Sequence, residues 1–334
     1  MLNYTFQIAD SVGGRTEQQD AAGTATTRFG LLVLVCDGMG GTRGGATASR
    51  MAVDLIQKSV QNASGSDATA ALVSAIRQAN HEIYQRSQHD EALRGMGTTV
   101  TALLLQESHA TLCHAGDSRI YHLRKGKIIH RTFDHSKVFE LVRRGILSEE
   151  QARLSEDSNV ILRALGIKPD IDVEVHDQQP YQKGDRFLLC TDGISGAIPE
   201  EQLLAWAETN EPVETAAPSL IRQVDQAGFQ RGGGHDNLTV ALVECRSSAK
   251  AAGSGFVVST RWLLPGLLLA LLGMAAGYIG YDVLGRHPQL RTQIQGLETK
   301  NAQLRQQVAR LQRQQDSLLS LTKPKRVSLP RTDP

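Results

Sequence analysis

The stretch LVLVCDGMGG, residues 32–41, constrains the fold of this chain more than any other. Its apolar run, Leu32 to Cys36, is short and closed by Asp37-Gly38, so it reads as a buried strand ending in a turn. Gly40, Gly41, Gly44 and Gly45 follow, more glycines than a plain turn uses. A backbone that another group must approach closely needs them. A helix is expected from about Ala46. The pattern recurs along the chain. RFLLCTDG (186–193) sets Asp192-Gly193 behind an apolar run, and ATLCHAGDSR (110–119) places Asp117 in the same way. GGGHDNLTVALVEC (232–245) reverses the order, with glycines, then Asp236-Asn237, then a strand.

Around these motifs, residues 1–246 alternate strand-like and helix-like segments. Strands are expected at 4–8, 31–36, 98–105, 110–114, 186–190 and 238–245, and helices at 46–61, 68–88, 137–144 and 214–226. Lys125-Gly126 joins 120–123 to 128–131 as a hairpin. Short connections of this kind favour antiparallel sheets packed by helices, an α+β arrangement, over a βαβ repeat. Forty per cent hydrophobic residues can support a sizeable core. The net charge of +1 conceals an asymmetry. Residues 1–246 carry 24 basic and 31 acidic side chains, whereas residues 286–334 carry 10 and 3. The first segment is therefore no general nucleic-acid binder, which would show a basic patch. Cys36, Cys113, Cys190 and Cys245 lie in or beside apolar runs without a CxxC pair, as expected of buried reduced thiols in a cytosolic domain. The N-terminus has no basic start followed by an apolar stretch and does not read as a secretory signal.

Residues 247–260 read as a linker. The following WLLPGLLLALLGMAAGYIGY (262–281) has no charge in 20 residues, the length of a bilayer crossing, which places a single transmembrane helix at 261–284. Basic residues flank both ends, so charge does not orient it. The large preceding segment without a signal peptide places the first domain in the cytoplasm, at the inner face of the cell membrane, and the tail outside. Within 287–321, leucines at 290, 297, 304, 311 and 318 interleave with Ile294, Asn301, Val308 and Gln315, the 4,3 spacing of a parallel coiled coil. A homodimer is expected from it, and the GxxxG at 273–277 agrees. Residues 322–334, with three prolines, read as a disordered end.

Four aspartates at strand ends would repel one another if the strands bring them together, and cations would be needed among them. Carboxylates and backbone carbonyls are hard oxygen ligands suited to Mg²⁺ or Mn²⁺. Two such ions can acidify a shared water to hydroxide and stabilise a transferring phosphoryl group. An arginine would then be expected to grip the phosphate.

Eight ordered segments resemble the motifs of the metal-dependent, type 2C protein Ser/Thr phosphatases of bacterial type. They are GGRTEQQDA (13–21), VCDGMGG (35–41), GMGTTVTALLL (95–105), HAGDSRIYHL (114–123), DHS (134–136), ILRALG (161–166), LLCTDGISG (188–196) and GGHDNLTVAL (233–242). The resemblance covers residues 1–246 and implies a central antiparallel β-sandwich flanked by α-helices on both faces (αββα). It implies hydrolysis of phosphoserine and phosphothreonine in proteins, Ser/Thr kinases being frequent counterparts. It also implies roles for particular positions. Asp37 would bridge two metal ions, Gly38 would lend its carbonyl, and Asp192 and Asp236 would complete the first ion. Asp117 with Asp192 matches a third-metal site, Asp20 would join the metal residues and orient metal-bound water, and Arg15 would bind the substrate phosphate. Residues 137–165 correspond to a flap beside the site, with Ser148 and Gln151 forming a capping box. Two positions depart from the pattern: Gln19 stands where many members have glutamate, and Met39 where eukaryotic members have a histidine general acid. His135 and His235 read as structural, and Ser118, Arg119 and Asn237 as braces around the metals. Besides the enzyme, the residues leave open a non-catalytic module that binds phosphoproteins, or a sensor scaffold carried by the tail.

Overall fold

The computed structural model describes residues 3–249 apart from 154, 156, 158–159 and 208–210. The expected transmembrane helix, coiled coil and terminal tail lie outside these residues. Among the described residues no helix is long and apolar enough to cross a membrane.

Two five-stranded antiparallel sheets form the centre. One has the order β1 (Tyr4–Ser11), β12 (Leu238–Cys245), β11 (Arg186–Cys190), β8 (Arg119–Arg124), β9 (Lys127–Arg131). The other has the order β10 (Glu174–Gln179), β7 (Ala110–Ala115), β6 (Val100–Leu105), β3 (Gly30–Cys36), β2 (Ala21–Thr27). A two-residue pair, β4 (Gly38–Met39) and β5 (Gly97–Thr98), continues beyond β3. The helices are α1 (Gly41–Gln61), α2 (Ala68–His89), α3 (Lys137–Arg143), α4 (Glu149–Arg153), α5 (Asp192–Ser195), α6 (Glu200–Ala207) and α7 (Val213–Gln230).

Strand β3 shows why its sequence is a continuous apolar run. Side chains alternate across a strand. Leu32, Leu34 and Cys36 pack into a core with α1 and α2, while Leu31, Val33 and Val35 face the second sheet, against Phe187, Leu189, Ala241 and Val243. A third apolar layer lies over the other sheet, where Leu188, Cys190, Val240 and Leu242 meet Leu220, Ile221 and Val224 of α7. The αββα order follows from these three layers. Both faces of the central strands must be apolar because both are covered. The hairpin from β8 to β9 turns at Lys125 and Gly126, both with positive φ (47° and 67°), the conformation of the tightest hairpin turn.

The structure lengthens β1 to Ser11 and α7 to Gln230, and it moves one boundary at the glycine-rich stretch. Helix α1 starts at Gly41 rather than near Ala46 and takes up the glycines that the sequence pattern places before it. Glycine lowers helix propensity by about 1 kcal/mol relative to alanine, so the pattern alone puts the start after them. Packing overrides the propensity: a Cβ on Gly45 would lie 2.7 Å from the Gly38 carbonyl oxygen. Gly40, which precedes the helix with φ 119°, would set a Cβ 2.7 Å from the Met96 Cα. Strands β2 and β10 are additions to the sequence reading, since neither AAGTATT nor EVHDQQ contains an apolar run.

Candidate metal centre

Antiparallel order determines which strand ends share an edge. Cys36 at the end of β3 pairs with Ala21 at the start of β2, and Ser11 at the end of β1 pairs with Leu238 at the start of β12. The end of β11 meets the start of β8 through Cys190 and Arg119, and the end of β7 meets the start of β6. Asp37, Asp117 and Asp192 follow strands that finish at this edge, while Asp20 and Asp236 precede strands that begin there. One end of the sandwich thus gathers all five aspartates that the sequence singles out.

Backbone hydrogen bonds hold the strand ends. The Asp37 amide donates to Thr99 Oγ1 at 2.9 Å, and its carbonyl accepts from the Thr99 amide and the Thr98 hydroxyl, both at 2.8 Å. Ser118 Oγ lies 2.7 Å from Thr99 Oγ1 and joins the Asp117 turn to the same anchor. Asn237 clamps the N-terminal loop: its Nδ2 donates to the carbonyls of Val12 and Glu17, and its Oδ1 accepts from the Gln19 amide. Gly38 is required by space, since a Cβ there would fall 2.2 Å from the Gly45 oxygen and 2.6 Å from the Gln19 oxygen. Gly193 is as tightly placed, 2.0 Å from the Asn237 carbonyl by the same measure.

The carboxylates interact strongly. Burial raises the Asp37 pKa well above the carboxylate range, and the neighbouring charges of Asp192, Asp20 and Asp117 add to it. Asp117 is raised in the same way by burial, then by Asp192 and Asp134. Asp20 is pushed up to about 7, chiefly by burial; the Thr239 and Thr191 hydroxyls oppose the shift, and Asp192 and Asp236 reinforce it. Thr191 Oγ1 donates to Asp20 Oδ2 at 3.0 Å. Asp192 is also raised by burial, and it lies within hydrogen-bonding reach of Asp37. Asp117 Oδ1 and Asp192 Oδ1 are buried and have no hydrogen-bond partner among the described residues. Oxygens that are buried, anionic and unpartnered are a donor set that fits a hard divalent cation.

Two arginines near the edge are already engaged. Arg119 makes a bidentate pair with Asp134, both bonds at 2.7 Å, and stacks over Phe139. Arg15 follows the Gly13-Gly14 turn and donates to Asp236 Oδ2 at 2.8 Å, with 54% of its side chain exposed. A Cβ on Gly13 would meet the Asp236 carbonyl at 2.1 Å, so this turn is what brings Arg15 to Asp236.

A cleft of about 720 Å³ opens from the cluster, lined near the aspartates by Asp117, Asp192 and Asp236. Its far wall includes Val138, Phe139, Glu149 and Ala152 of the flap. Ser148 and Gln151 make the reciprocal capping box, with bonds of 3.1 and 2.8 Å. Arg131 ties the flap to the body through Glu149 and Glu200. Arg231 also lines the cleft, a cationic position that the sequence reading does not single out, although it adjoins the glycines before Asp236. His235 is held by Asp225 at 2.7 Å and packs edge-on against Phe229. His135 does not line the cleft. It contacts Glu174 and the Gly116 amide instead.

The family model for protein phosphatase 2C matches residues 13–227 of this chain, which contain the turn before Arg15 and the strand ends bearing Asp20, Asp37, Asp117 and Asp192. The chain belongs to the protein phosphatase 2C family. The serine/threonine phosphatase stp of Listeria monocytogenes is 35% identical over 223 residues, which cover 64% of this chain and 84% of that protein. Protein phosphatase PhpP of Streptococcus pneumoniae is 33% identical over 242 residues, covering 69% and 92%. The fold matches the crystal structure of the catalytic domain of the phosphatase PstP in complex with two manganese ions. That match has a TM-score of 0.61 and 31% identity, covering 73% of this chain and 99% of that domain.

Proposed function

We propose that this member of the family is a Mn²⁺- or Mg²⁺-dependent phosphatase that removes phosphate from phosphoserine and phosphothreonine in proteins. The observation that carries the reading is the gathering of Asp20, Asp37, Asp117 and Asp192 at one sandwich edge, with two buried carboxylate oxygens unpartnered among the described residues. The ions, when bound, activate water and neutralise charge on the phosphoryl group. Asp37, Asp192 and Asp236, with the Gly38 carbonyl, would hold two of them, and Asp117 with Asp192 a third. Asp20, fixed by Thr191, orients the attacking water. Arg15 is exposed beside Asp236 and grips the phosphate oxygens as a planar fork. The flap and Arg231 border the cleft where a phosphoprotein would enter.

The test is phosphate release from a phosphothreonine peptide. Activity should appear with Mn²⁺, disappear with EDTA and be lost in Asp37→Asn. Release that persists in EDTA, or its absence with every divalent ion, would sink the proposal. Phosphopeptide binding without release would identify a binding module instead.

The same reading includes anchoring at the cell membrane by 261–284, with the phosphatase domain cytoplasmic, and a homodimer made by 287–321. The uncharged 20-residue run and the heptad leucines support it. Two linked catalytic domains would act efficiently on clustered membrane substrates such as Ser/Thr kinases. Full-length protein should fractionate with membranes and sediment as a dimer in detergent. A soluble or monomeric full-length chain would remove that part of the proposal.

A further inference from the structure

A second group of metal-ligating side chains lies between the open edges of the two sheets. Strand β10 is the outer strand of its sheet and runs antiparallel to β7, with Glu174 directly opposite His114 and His176 opposite Leu112. Directly opposed residues share a face, and so do residues two apart. One ring nitrogen of His114, one of His176 and a Glu174 oxygen accordingly lie within 4.8 Å of one another. They are the only three such groups among the described residues that meet so closely. Other histidines surround them. His135 stacks on His114 with ring centres 4.4 Å apart, and His130, from the facing sheet, lies 4.2 Å from His176.

The hydrogen bonds already resemble those of a ligand set. His114 is fully buried, and its Nε2 donates to the Phe133 carbonyl at 3.0 Å. That bond fixes the proton on Nε2 and leaves the lone pair on Nδ1, which has no partner among the described residues. Metal-binding histidines are commonly oriented in this way, one nitrogen donating to a carbonyl and the other free for the ion. Glu174 accepts from His176 Nε2 at 2.8 Å and from His135 Nε2 at 3.0 Å. These two bonds keep it anionic, far below the usual carboxylate range. His130 Nε2 is a second buried ring nitrogen without a partner among the described residues. Buried polar atoms left unpaired are costly, and two of them lie in this one cluster.

We propose that His114, Glu174 and His176 form a metal site separate from the aspartate centre, and that it takes a divalent transition ion of the zinc class. Two imidazole nitrogens and one carboxylate oxygen suit Zn²⁺ or Co²⁺, whereas the all-oxygen aspartate centre suits Mn²⁺ or Mg²⁺. Binding replaces the bond from His176 to Glu174, and the His176 proton moves from Nε2 to Nδ1. Three protein donors leave a fourth position, which His130 borders. The ion would fasten β10 to β7 three residues before Asp117, on the strand that carries that aspartate to the catalytic edge.

Full-length protein saturated with Mn²⁺ is titrated with Co²⁺ and then Zn²⁺, followed by visible absorption and by calorimetry. One further equivalent of Co²⁺ should bind with the absorption of a low-coordinate imidazole site, and Zn²⁺ should displace it. His176→Ala lies on an edge strand with 27% of its side chain exposed, so the fold tolerates it. It should weaken this binding at least tenfold, and Glu174→Gln likewise, while Asp37→Asn should retain it. The proposal is overturned if the wild-type protein takes up no further equivalent, or if His176→Ala binds Co²⁺ as tightly as the wild type. It is equally overturned if Asp37→Asn abolishes the binding.

Discussion

Two buried groups of carboxylates in this domain have opposite electrostatics. At the sandwich edge, Asp20, Asp37, Asp117 and Asp192 are raised by burial and by one another. Asp185, which precedes β11 at the other end of that strand, is also closed off from solvent, yet its pKa is lowered to about 2. Burial is the largest single influence on Asp185 and pushes it upward, but the Arg124 fork, with two bonds of 2.7 Å, outweighs it together with the other partners of the carboxylate. His122 at 2.8 Å and the Gln182 amide add to the effect. Burial alone therefore does not distinguish a functional acid from a structural one. The difference is whether the chain supplies the counter-charge. Asp185 carries its cation in the sequence, and the edge cluster is built for one that comes from solution.

The same substitution should accordingly have opposite consequences at the two places. Asp37→Asn should reduce Mn²⁺-dependent phosphate release at least ~100-fold, since a direct ligand, the role proposed for Asp37, matters more than the outer partners that cost 10–100-fold. In metal-free protein it should leave the denaturation midpoint unchanged or raised, because it removes repulsion. A lowered midpoint there would break the comparison. Asp185→Asn should instead cost about 2–3 kcal/mol of stability in urea unfolding, by leaving Arg124 and His122 without their anion, with catalysis retained in the folded fraction.

The pH dependence sharpens the contrast. Asp185 has a folded-state pKa below its ordinary 3.8, so its contribution is present above pH 3.8 and is lost as pH falls through about 2. The size is about 2 kcal/mol. Stability measured from pH 5 down to 2 should fall more steeply in the wild type than in Asp185→Asn, and parallel curves would refute the assignment. The smallest effect is expected from Arg124→Gln, about 1 kcal/mol, because a quarter of the Arg124 side chain is exposed and His122 remains in place. A loss as large as that of Asp185→Asn would mean that Arg124 alone sets the Asp185 environment.

Local sequence carries much of this architecture. The run before Asp37 reads as a buried strand because it is apolar at every position. The Lys125-Gly126 hairpin and the Ser148-Gln151 cap depend on residues within four positions of each other, and the structure contains both. Helix α1 is less legible at its start, where the close approach of Gly45 to Gly38 favours glycine that helix propensity disfavours. Strand β10 is less legible still. EVHDQQ is polar because an outer strand is half exposed, and its Glu174 and His176 acquire meaning only from their register against His114. Arg231 carries no pattern of its own and becomes notable through the cleft it borders.

By itself the sequence determined the apolar strands, the aspartates in their terminal turns, the glycines beside them and the oxygen chemistry those aspartates favour. These are properties of short segments, governed by side-chain alternation and turn geometry. Tertiary structure alone decided that five aspartates meet at one edge, that Asp185 finds an arginine, and that His114 lies opposite Glu174. Such meetings depend on strand order and register between segments far apart in the chain, such as Gln19 and Asn237, separated by 218 residues. No local preference encodes them, because charge and burial act through space and not along the chain.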